Sequence, residues 1–371
     1  MQDNLELYYP DGHPSAGYLN VPRIMEYAVN HDCYIVLGVG GRGTGKTYGG
    51  LDFCETRGWY MFMRNSEPMY IYLRRKQKHV NMACQPLLSP FKSLNKDKHR
   101  GTTTFKIPDT DLAIIAETVE EGGKIKPTED IHGIMASLAT FCDTRSVDFS
   151  DVGVLFYDEF VPEKGERRFK KNEGYTFNNI IETVNRNREF NGQPPLLVFC
   201  LANSEKLDNE LFMYYKLVKP AMELRKRGDE YQLFRDKGIL LIDMYKSPIS
   251  QRKADTFLYS KANKDNRFSD MAINNSYDID EGVRMRDRLQ FMQYKPIVRV
   301  GELCIYRHKS KYDYQVSFKM SGSPPEYEVT SLDLSRFKQN YRYLIKALYE
   351  DRIFFDDYSA YILFDRYLKY G

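Results

Sequence analysis

Residues 34–47 read Tyr34-Ile-Val-Leu-Gly-Val-Gly-Gly-Arg-Gly-Thr-Gly-Lys-Thr47, an apolar run entering the pattern Gly40-x-x-x-x-Gly45-Lys46-Thr47. A strand delivered straight into a glycine-rich loop, with a helix-capable segment behind it, is the local context of a phosphate-binding loop. The glycines let consecutive backbone N–H groups turn inward and form an anion-binding nest. The helix that follows offers its positive end to the same place. On this reading Gly40, Gly41, Arg42, Gly43, Thr44 and Gly45 wrap the phosphates of a nucleoside triphosphate. Lys46 reaches the β- and γ-phosphates, and the Thr47 hydroxyl holds Mg²⁺. A glycine-rich turn that happens to carry a lysine is the plainer account, and the flanking strand and helix weigh against it.

Outward from the loop, short apolar runs alternate with longer mixed segments up to about residue 247. The expected strands are Cys33–Val39, Met69–Leu73, Leu112–Ala116, Ile134–Phe141, Gly153–Tyr157, Leu196–Leu201 and Gly238–Ile242. Several are continuous apolar runs, the mark of strands covered on both faces, so the fold class expected is α/β with a largely parallel sheet. Phe105 to Ile114 reads instead as a hairpin around Pro108–Asp111 at a sheet edge. From Ser247 the chain turns polar. A linker is expected over 248–283, and a smaller α+β domain over 284–371. Its expected strands are Ile297–Val300, Leu303–His308 and Tyr314–Met320, as an antiparallel set, with helical spacing in Leu334–Leu348 and Ala360–Lys369.

A second motif follows the loop. The apolar run Gly153-Val-Leu-Phe-Tyr157 ends in Asp158-Glu159. Asp158 would order the Mg²⁺ shell and Glu159 would act as general base on the attacking water. A buried strand with an acidic turn after it is the bland alternative. The glutamate directly after the aspartate points to hydrolysis rather than transfer to a small-molecule hydroxyl. A third run, Leu196–Leu201, leaves Asn203 at its end as a candidate γ-phosphate sensor, or equally as a cap of the next turn.

Positioning and charge stabilisation dominate such chemistry, so a cation near the γ-phosphate is expected. Arg42 lies within the loop. Arg186 and Arg188, in Thr183-Val-Asn-Arg-Asn-Arg-Glu189, precede the candidate sensor strand, and two guanidinia so spaced at an element's edge suit a neighbouring subunit's phosphates. Arg145 lies shortly before the Asp-Glu strand, and Arg74 and Arg75 end another strand. Basic clusters at Lys76–Lys78, Lys92–Arg100, Arg167–Lys171, Arg225–Arg227 and Arg284–Arg288 suit DNA phosphates or merely solvated faces.

Bulk properties narrow the class. The 371 residues are 42% hydrophobic and 28% charged, the profile of a globular chain long enough for two domains. A net charge of +3 permits nucleic-acid binding without arguing for it. No apolar run approaches a membrane span. The polar N-terminus carries no secretory signal. Six scattered cysteines without a Cys-x-x-Cys pair suggest neither zinc nor a disulfide framework, hence a reduced cytoplasm.

In order and rough spacing over residues 20–220, the chain resembles the DNA-packaging ATPases of phi-29-like bacteriophages, relatives of the large terminase subunits and of the FtsK/HerA translocases. The residues that carry the likeness are Gly40–Thr47, Ile71-Tyr-Leu-Arg-Arg75, Leu155-Phe-Tyr-Asp-Glu-Phe160, Thr183–Glu189 and Cys200-Leu-Ala-Asn-Ser204. Glu328–Leu368 is similar only loosely. The resemblance implies a P-loop NTPase core of the ASCE type over residues 1–247, and a C-terminal domain like a degenerate RNase H-type nuclease. It implies ATP hydrolysis with Mg²⁺, driving double-stranded DNA through a ring, a pentamer, into the viral procapsid. Implied partners are the portal and a structural packaging RNA; the implied location is the host cytoplasm, transiently on the portal vertex. It also implies that Arg186 acts in trans as an arginine finger, with Arg145 as a second candidate at the subunit junction; Arg188 is a further trans candidate from the Arg-Asn-Arg run itself.

Asp278, Asp280, Glu281 and Asp287 cluster in a polar stretch rather than at strand tips, so no nuclease activity is expected. Arg299, Arg307, Lys309 and Lys311 suit DNA, portal or RNA instead. The chain departs from the family pattern in an N-terminal extension (residues 1–20) and an insert around Lys92–Lys126. A helicase or segregation-type DNA-pumping ATPase uses the same core, and a P-loop phosphotransferase is the alternative from another class.

Overall fold

The computed structural model describes residues 4–57, 59, 69–144, 147–162, 172–203, 207, 209–253, 255–262, 283–286 and 289–369. Arg145, Ser204, Arg167–Lys171 and the carboxylates Asp278, Asp280, Glu281 and Asp287 lie outside them. The chain divides into two compact units. One comprises Met1–Tyr214 with Leu224–Tyr277; the other comprises Tyr215–Glu223 with Asp278–Gly371.

In the first unit the apolar runs of the sequence become a parallel core. Strands β1 (Ile35–Gly40), β2 (Met69–Arg74), β6 (Val152–Asp158), β7 (Leu197–Asn203) and β9 (Ile239–Met244) are buried almost throughout. With β3 (Thr102–Lys106), β4 (Ala113–Glu121), β5 (Lys124–Ser137) and β8 (Tyr231–Phe234) they form one sheet. Its order is β3-β4-β5-β2-β6-β7-β1-β9-β8. The six strands from β5 to β9 in that order pair in parallel, and the edges are antiparallel. The loop strand β1 and the Asp-Glu strand β6 are not neighbours: β7 lies between them, with Gly40 opposite Asn203 and Asp158 opposite Leu201. The loop and the tips of β6 and β7 therefore open at one carboxyl edge, where parallel sheets place ligands.

Helix α1 (Val21–Asn30) starts on the Asn20 cap, whose side chain accepts from Arg23 N. Helix α2 (Lys46–Glu55) leaves the loop through Gly45 in a left-handed conformation (φ 86°). It packs through two glycines. A Cβ on Gly49 would stand 3.1 Å from Val21 Cγ2, and one on Gly50 would stand 2.4 Å from Phe156 Cζ. Phe156 is itself stacked between Tyr72 (centroids 5.5 Å apart) and Phe199 (4.5 Å). Side chains of this size, fully buried, contribute about 1.5–3 kcal/mol each. Next along the chain come α3 (Gln77–Ala83) and α4 (Lys92–Lys98), then α5 (Glu173–Asn185). The ion pair of Arg75 with Glu173 ties the end of β2 to the start of α5, at 2.7 Å with both side chains 2% exposed.

The expected hairpin at Pro108–Asp111 forms, between the edge strands β3 and β4. One expectation needs correction. The run Ile134–Phe141 stops being strand at Ser137, since Phe141–Thr144 coils into a short turn of helix. The insert around Lys92–Lys126 folds as α4 and the antiparallel edge of the sheet. Its second hairpin turns at Gly122 and Gly123, both with positive φ (60° and 72°), as a two-residue turn demands. Helices α6 (Glu210–Tyr214) and α7 (Val218–Arg227) precede the expected linker; within it, α8 (Pro248–Lys253) belongs to the first unit.

The second unit holds β10 (Tyr294–Val300), β11 (Leu303–His308), β12 (Tyr314–Ser317), β13 (Glu326–Tyr327) and β14 (Ile353–Phe355), in the order β13-β10-β11-β12-β14. The three expected strands do form an antiparallel meander. The sheet is nevertheless mixed, because β13 joins β10 and β14 joins β12 in parallel. The spacing in Leu334–Leu348 resolves into two helices, α9 (Ser331–Asn340) and α10 (Arg342–Tyr349), followed by α11 (Tyr358–Lys369).

Candidate nucleoside triphosphate site

The glycine-rich loop is built as its sequence requires. Gly43 and Gly45 take positive φ (73° and 86°), a conformation costly for any residue with a Cβ. Lys46 is buried at the head of α2. Its ammonium donates to the carbonyls of Gly40 (3.1 Å) and Gly41 (2.5 Å) and to Thr44 Oγ1 (3.2 Å). Burial holds its pKa down to about 7, against the opposing pull of the Asp158 carboxylate. A phosphate placed in the loop supplies the counter-charge that this ammonium lacks.

Asp158 stands at the end of β6, 1% exposed, where burial raises its pKa above the usual carboxylate value. Thr47 Oγ1 donates to both its oxygens, at 3.1 and 3.0 Å, and Tyr72 Oη donates to Oδ2 at 3.1 Å. A hydroxyl and a carboxylate this close, at the mouth of a phosphate loop, are a hard oxygen donor pair that fits Mg²⁺. Glu159 follows with φ 57°, a left-handed conformation that is strained for a glutamate, and its N–H is fixed on Leu201 O at 2.7 Å. That twist releases its carboxylate from the sheet into the site.

One of the candidate arginines links the two carboxylates. Arg74, at the end of β2, donates through Nη1 to Asp158 Oδ2 at 2.6 Å and to Tyr72 Oη at 2.9 Å, and through Nη2 to Glu159. Its place at the end of an apolar strand marks it in sequence as a candidate cation, but not as the partner of Asp158 and Glu159. What makes it a site residue is that β2 lies beside β6 with Leu73 opposite Tyr157.

The loop faces a cavity of about 660 Å³, a size suited to a mononucleotide, and Arg42, Lys46, Thr47, Glu159 and Asn203 all line it. The sequence-predicted loop, Asp-Glu pair and Asn203 thus come together. The Arg-Asn-Arg run splits. Asn187 takes a positive φ (58°), which sends its neighbours apart. Arg186 is exposed at the end of α5 and makes no ion pair among the described residues. Arg188 turns inward, 2% exposed, and donates to the carbonyls of Val152 (2.8 Å) and Pro194 (3.1 Å). It clamps β6 to the following turn, so the expectation that it reaches a neighbour's phosphates is corrected. In the Arg225–Arg227 cluster, Arg225 is likewise engaged by the buried Asp243, at 2.7 Å.

Comparison with known proteins adds to this geometry. The family model described as Podovirus DNA encapsidation protein (Gp16) matches residues 18–305, which contain every motif above. The chain belongs to this family. Among Gp16 relatives, the DNA packaging proteins of Bacillus phages PZA and phi29 are each 24% identical over 246 residues. Those matches span 65% of this chain and 64% of the relatives' own length. Two solved structures share the fold with a TM-score of 0.56. One is the Phi-28 gp11 DNA packaging motor, 16% identical and covering 92% of this chain and 96% of that one. The other is the bacteriophage Phi-29 viral genome packaging motor assembly, 18% identical and covering 98% and 100%. The Gp16 match begins at residue 18, whereas the cavity wall also draws on Tyr9, Pro14 and Ser15.

Proposed function

We propose that this chain is an ATP-driven translocase that packages double-stranded viral DNA into a procapsid. The observation that carries the reading is the convergence of Lys46, Thr47, Asp158, Glu159 and Arg74 at one sheet edge, in a chain of the DNA encapsidation family. Position of the inserted strand β7, between the loop strand and the Asp-Glu strand, supports a P-loop core of the ASCE type. Lys46 and the loop N–H groups bind the triphosphate, and Thr47 with Asp158 would hold Mg²⁺. When bound, Mg²⁺ neutralises charge on the β- and γ-phosphates. Glu159 accepts a proton from the water that attacks the γ-phosphorus as the bond to the ADP oxygen breaks. For that, its contact with Arg74 has to open. Asn203 lies where it can meet the γ-phosphate or that water.

The ring reading, a pentamer, rests on Arg186: an exposed guanidinium at the end of α5, with no ion pair among the described residues, suits a neighbour's phosphates. Arg145 remains a second trans candidate. The mixed sheet and helices of the second unit are compatible with a degenerate RNase H-like domain. The polar setting of Asp278, Asp280, Glu281 and Asp287 in sequence supports a chain without nuclease activity. Arg307, Lys309 and Lys311 on that unit suit DNA, the portal or a packaging RNA, and the place of action is the portal vertex in the host cytoplasm.

Two measurements test this. ATP turnover is expected to rise with double-stranded DNA and with protein concentration; rates flat in both would end the translocase reading. In mixed assemblies, Glu159→Gln and Arg186→Ala subunits, each inactive alone, are expected to complement one another. Mixtures that stay inactive would remove the trans assignment of Arg186.

A further inference from the structure

We propose that the N-terminal segment, residues 8–19, builds the base-binding end of the nucleotide site and takes a purine ring against Tyr9 and Tyr18. The inference rests on reading Gly40–Thr47 as a nucleoside triphosphate loop. That loop accounts for part of the cavity lining. The lining also includes Tyr9, Tyr18 and Tyr48, with Asp52 and Asp97.

The segment is fixed to the loop. Tyr8 and Leu19 pair in an antiparallel bridge. Tyr9 N donates to Tyr18 O, and Gly17 N donates to Tyr9 O, both at 2.9 Å. Leu19 N donates to Thr44 O at 3.1 Å, which joins the segment directly to the phosphate loop. The Tyr18 ring lies against Gly45, where a Cβ would stand 3.1 Å from its Cδ1. Held in this way, Tyr18 still leaves 42% of its surface open. Tyr9 is backed by His13, ring on ring at 4.2 Å and 7°. The exposed Tyr18 ring and the half-buried Tyr9 ring are held in place and so pre-organised for stacking, because little side-chain freedom is lost when a base arrives.

Charge sets the orientation. Lys46 and the positive end of α2 lie at the loop. Asp52 stands six residues beyond Lys46 on α2, about 9 Å along the helix, and pairs with Lys98 at 3.3 Å, while Asp97 holds the Tyr48 hydroxyl. A triphosphate is drawn to the loop and repelled by these carboxylates, which leaves the base to the tyrosines. Some of the parts involved are ones in which this chain departs from its family, although Tyr18, Tyr48 and Asp52 lie within the match. Tyr9 precedes the family match, and Asp97 sits in the insert of residues 92–126.

The test is calorimetric titration of the full chain with a non-hydrolysable ATP analogue, the corresponding CTP analogue and inorganic tripolyphosphate. Wild-type protein is expected to bind the ATP analogue more tightly than either of the others. Tyr9→Ala and Tyr18→Ala are each expected to weaken the ATP analogue roughly tenfold, to erase the purine preference and to leave tripolyphosphate unchanged, with Tyr18→Phe close to wild type. Alanine variants that bind the ATP analogue within about twofold of wild type, or that lose tripolyphosphate equally, overturn the proposal. If wild type binds tripolyphosphate as tightly as the ATP analogue, the loop reading stands and the base site falls. If it binds neither, both fall.

Discussion

Replacing Arg74 with alanine removes the cation that joins Asp158 and Glu159, and the size of the effect follows from the geometry. Asp158 is 1% exposed and Arg74 is 14% exposed, with 2.6 Å between Nη1 and Oδ2. Charge centres about 4 Å apart interact by about 4 kcal/mol at an effective dielectric of about 20. Stranding one partner of a buried pair costs about 3–5 kcal/mol. The hydroxyls of Thr47 and Tyr72 stay on the carboxylate, which places the expected loss near the lower limit, about 3 kcal/mol, or roughly 6–12 °C in Tm. The loss depends on pH in a known direction. Asp158 already holds its proton to higher pH than the unfolded chain does, because burial raises its pKa, and loss of Arg74 raises it further. Where the native state binds more protons than the unfolded state, stability falls as pH rises. The variant-minus-wild-type difference in urea unfolding is therefore expected to be larger at about pH 8 than at about pH 5. A deficit below about 1 kcal/mol at the higher pH, or an equal deficit at both, would refute the pairing as the source of the effect.

Other outcomes follow from buried groups. With a pKa near 7, Lys46 is mostly neutral at about pH 8, so nucleotide binding there is expected to take up close to one proton, falling to about a tenth at about pH 6. Calorimetry in buffers of different ionisation enthalpy reads this, and no proton uptake at the higher pH would contradict it. Glu173→Gln is expected to cost about 3 kcal/mol of unfolding free energy, because it leaves Arg75 charged and enclosed, while replacing both partners by apolar residues recovers most of that. A single-variant cost below about 1 kcal/mol would count against it. Gly50→Ala gains about 1 kcal/mol of helix propensity but forces a methyl within 2.4 Å of Phe156 Cζ. Overpacking at about 1–3 kcal/mol outweighs that gain, and a melt unchanged or raised in temperature would disprove it.

The loop, the Asp-Glu pair and the parallel core were legible because each is written contiguously: a strand, then the chemistry at its tip. Arg74 was legible as a candidate cation at a strand end, but not as the link between the carboxylates; those partners lie 84 and 85 positions along the chain and meet it through strand order. Arg186 and Arg188 look alike in sequence, and one left-handed residue between them sends one outward and the other to the Val152 carbonyl. The β4–β5 hairpin escaped notice because Glu120, Glu121, Lys124 and Lys126 give its tip no apolar alternation, although Gly122-Gly123 marks the turn. Tyr9 and Tyr18 lie in a stretch whose sequence is polar and turn-rich, and backbone bonds carry it to the loop.

The two glycines of α2 set a mechanical limit. One face of the helix presses Val21 and the other presses Phe156, each across a contact with no side chain to yield. Such a helix has no slack to slide or roll against the sheet, so the phosphate loop and β6 travel as one solid piece. Any stroke that follows a change at the γ-phosphate has to leave through parts that can swing: the guanidinium of Arg74, the twisted backbone at Glu159, and the tip of β7. The anvil is rigid, and the linkage runs through side chains.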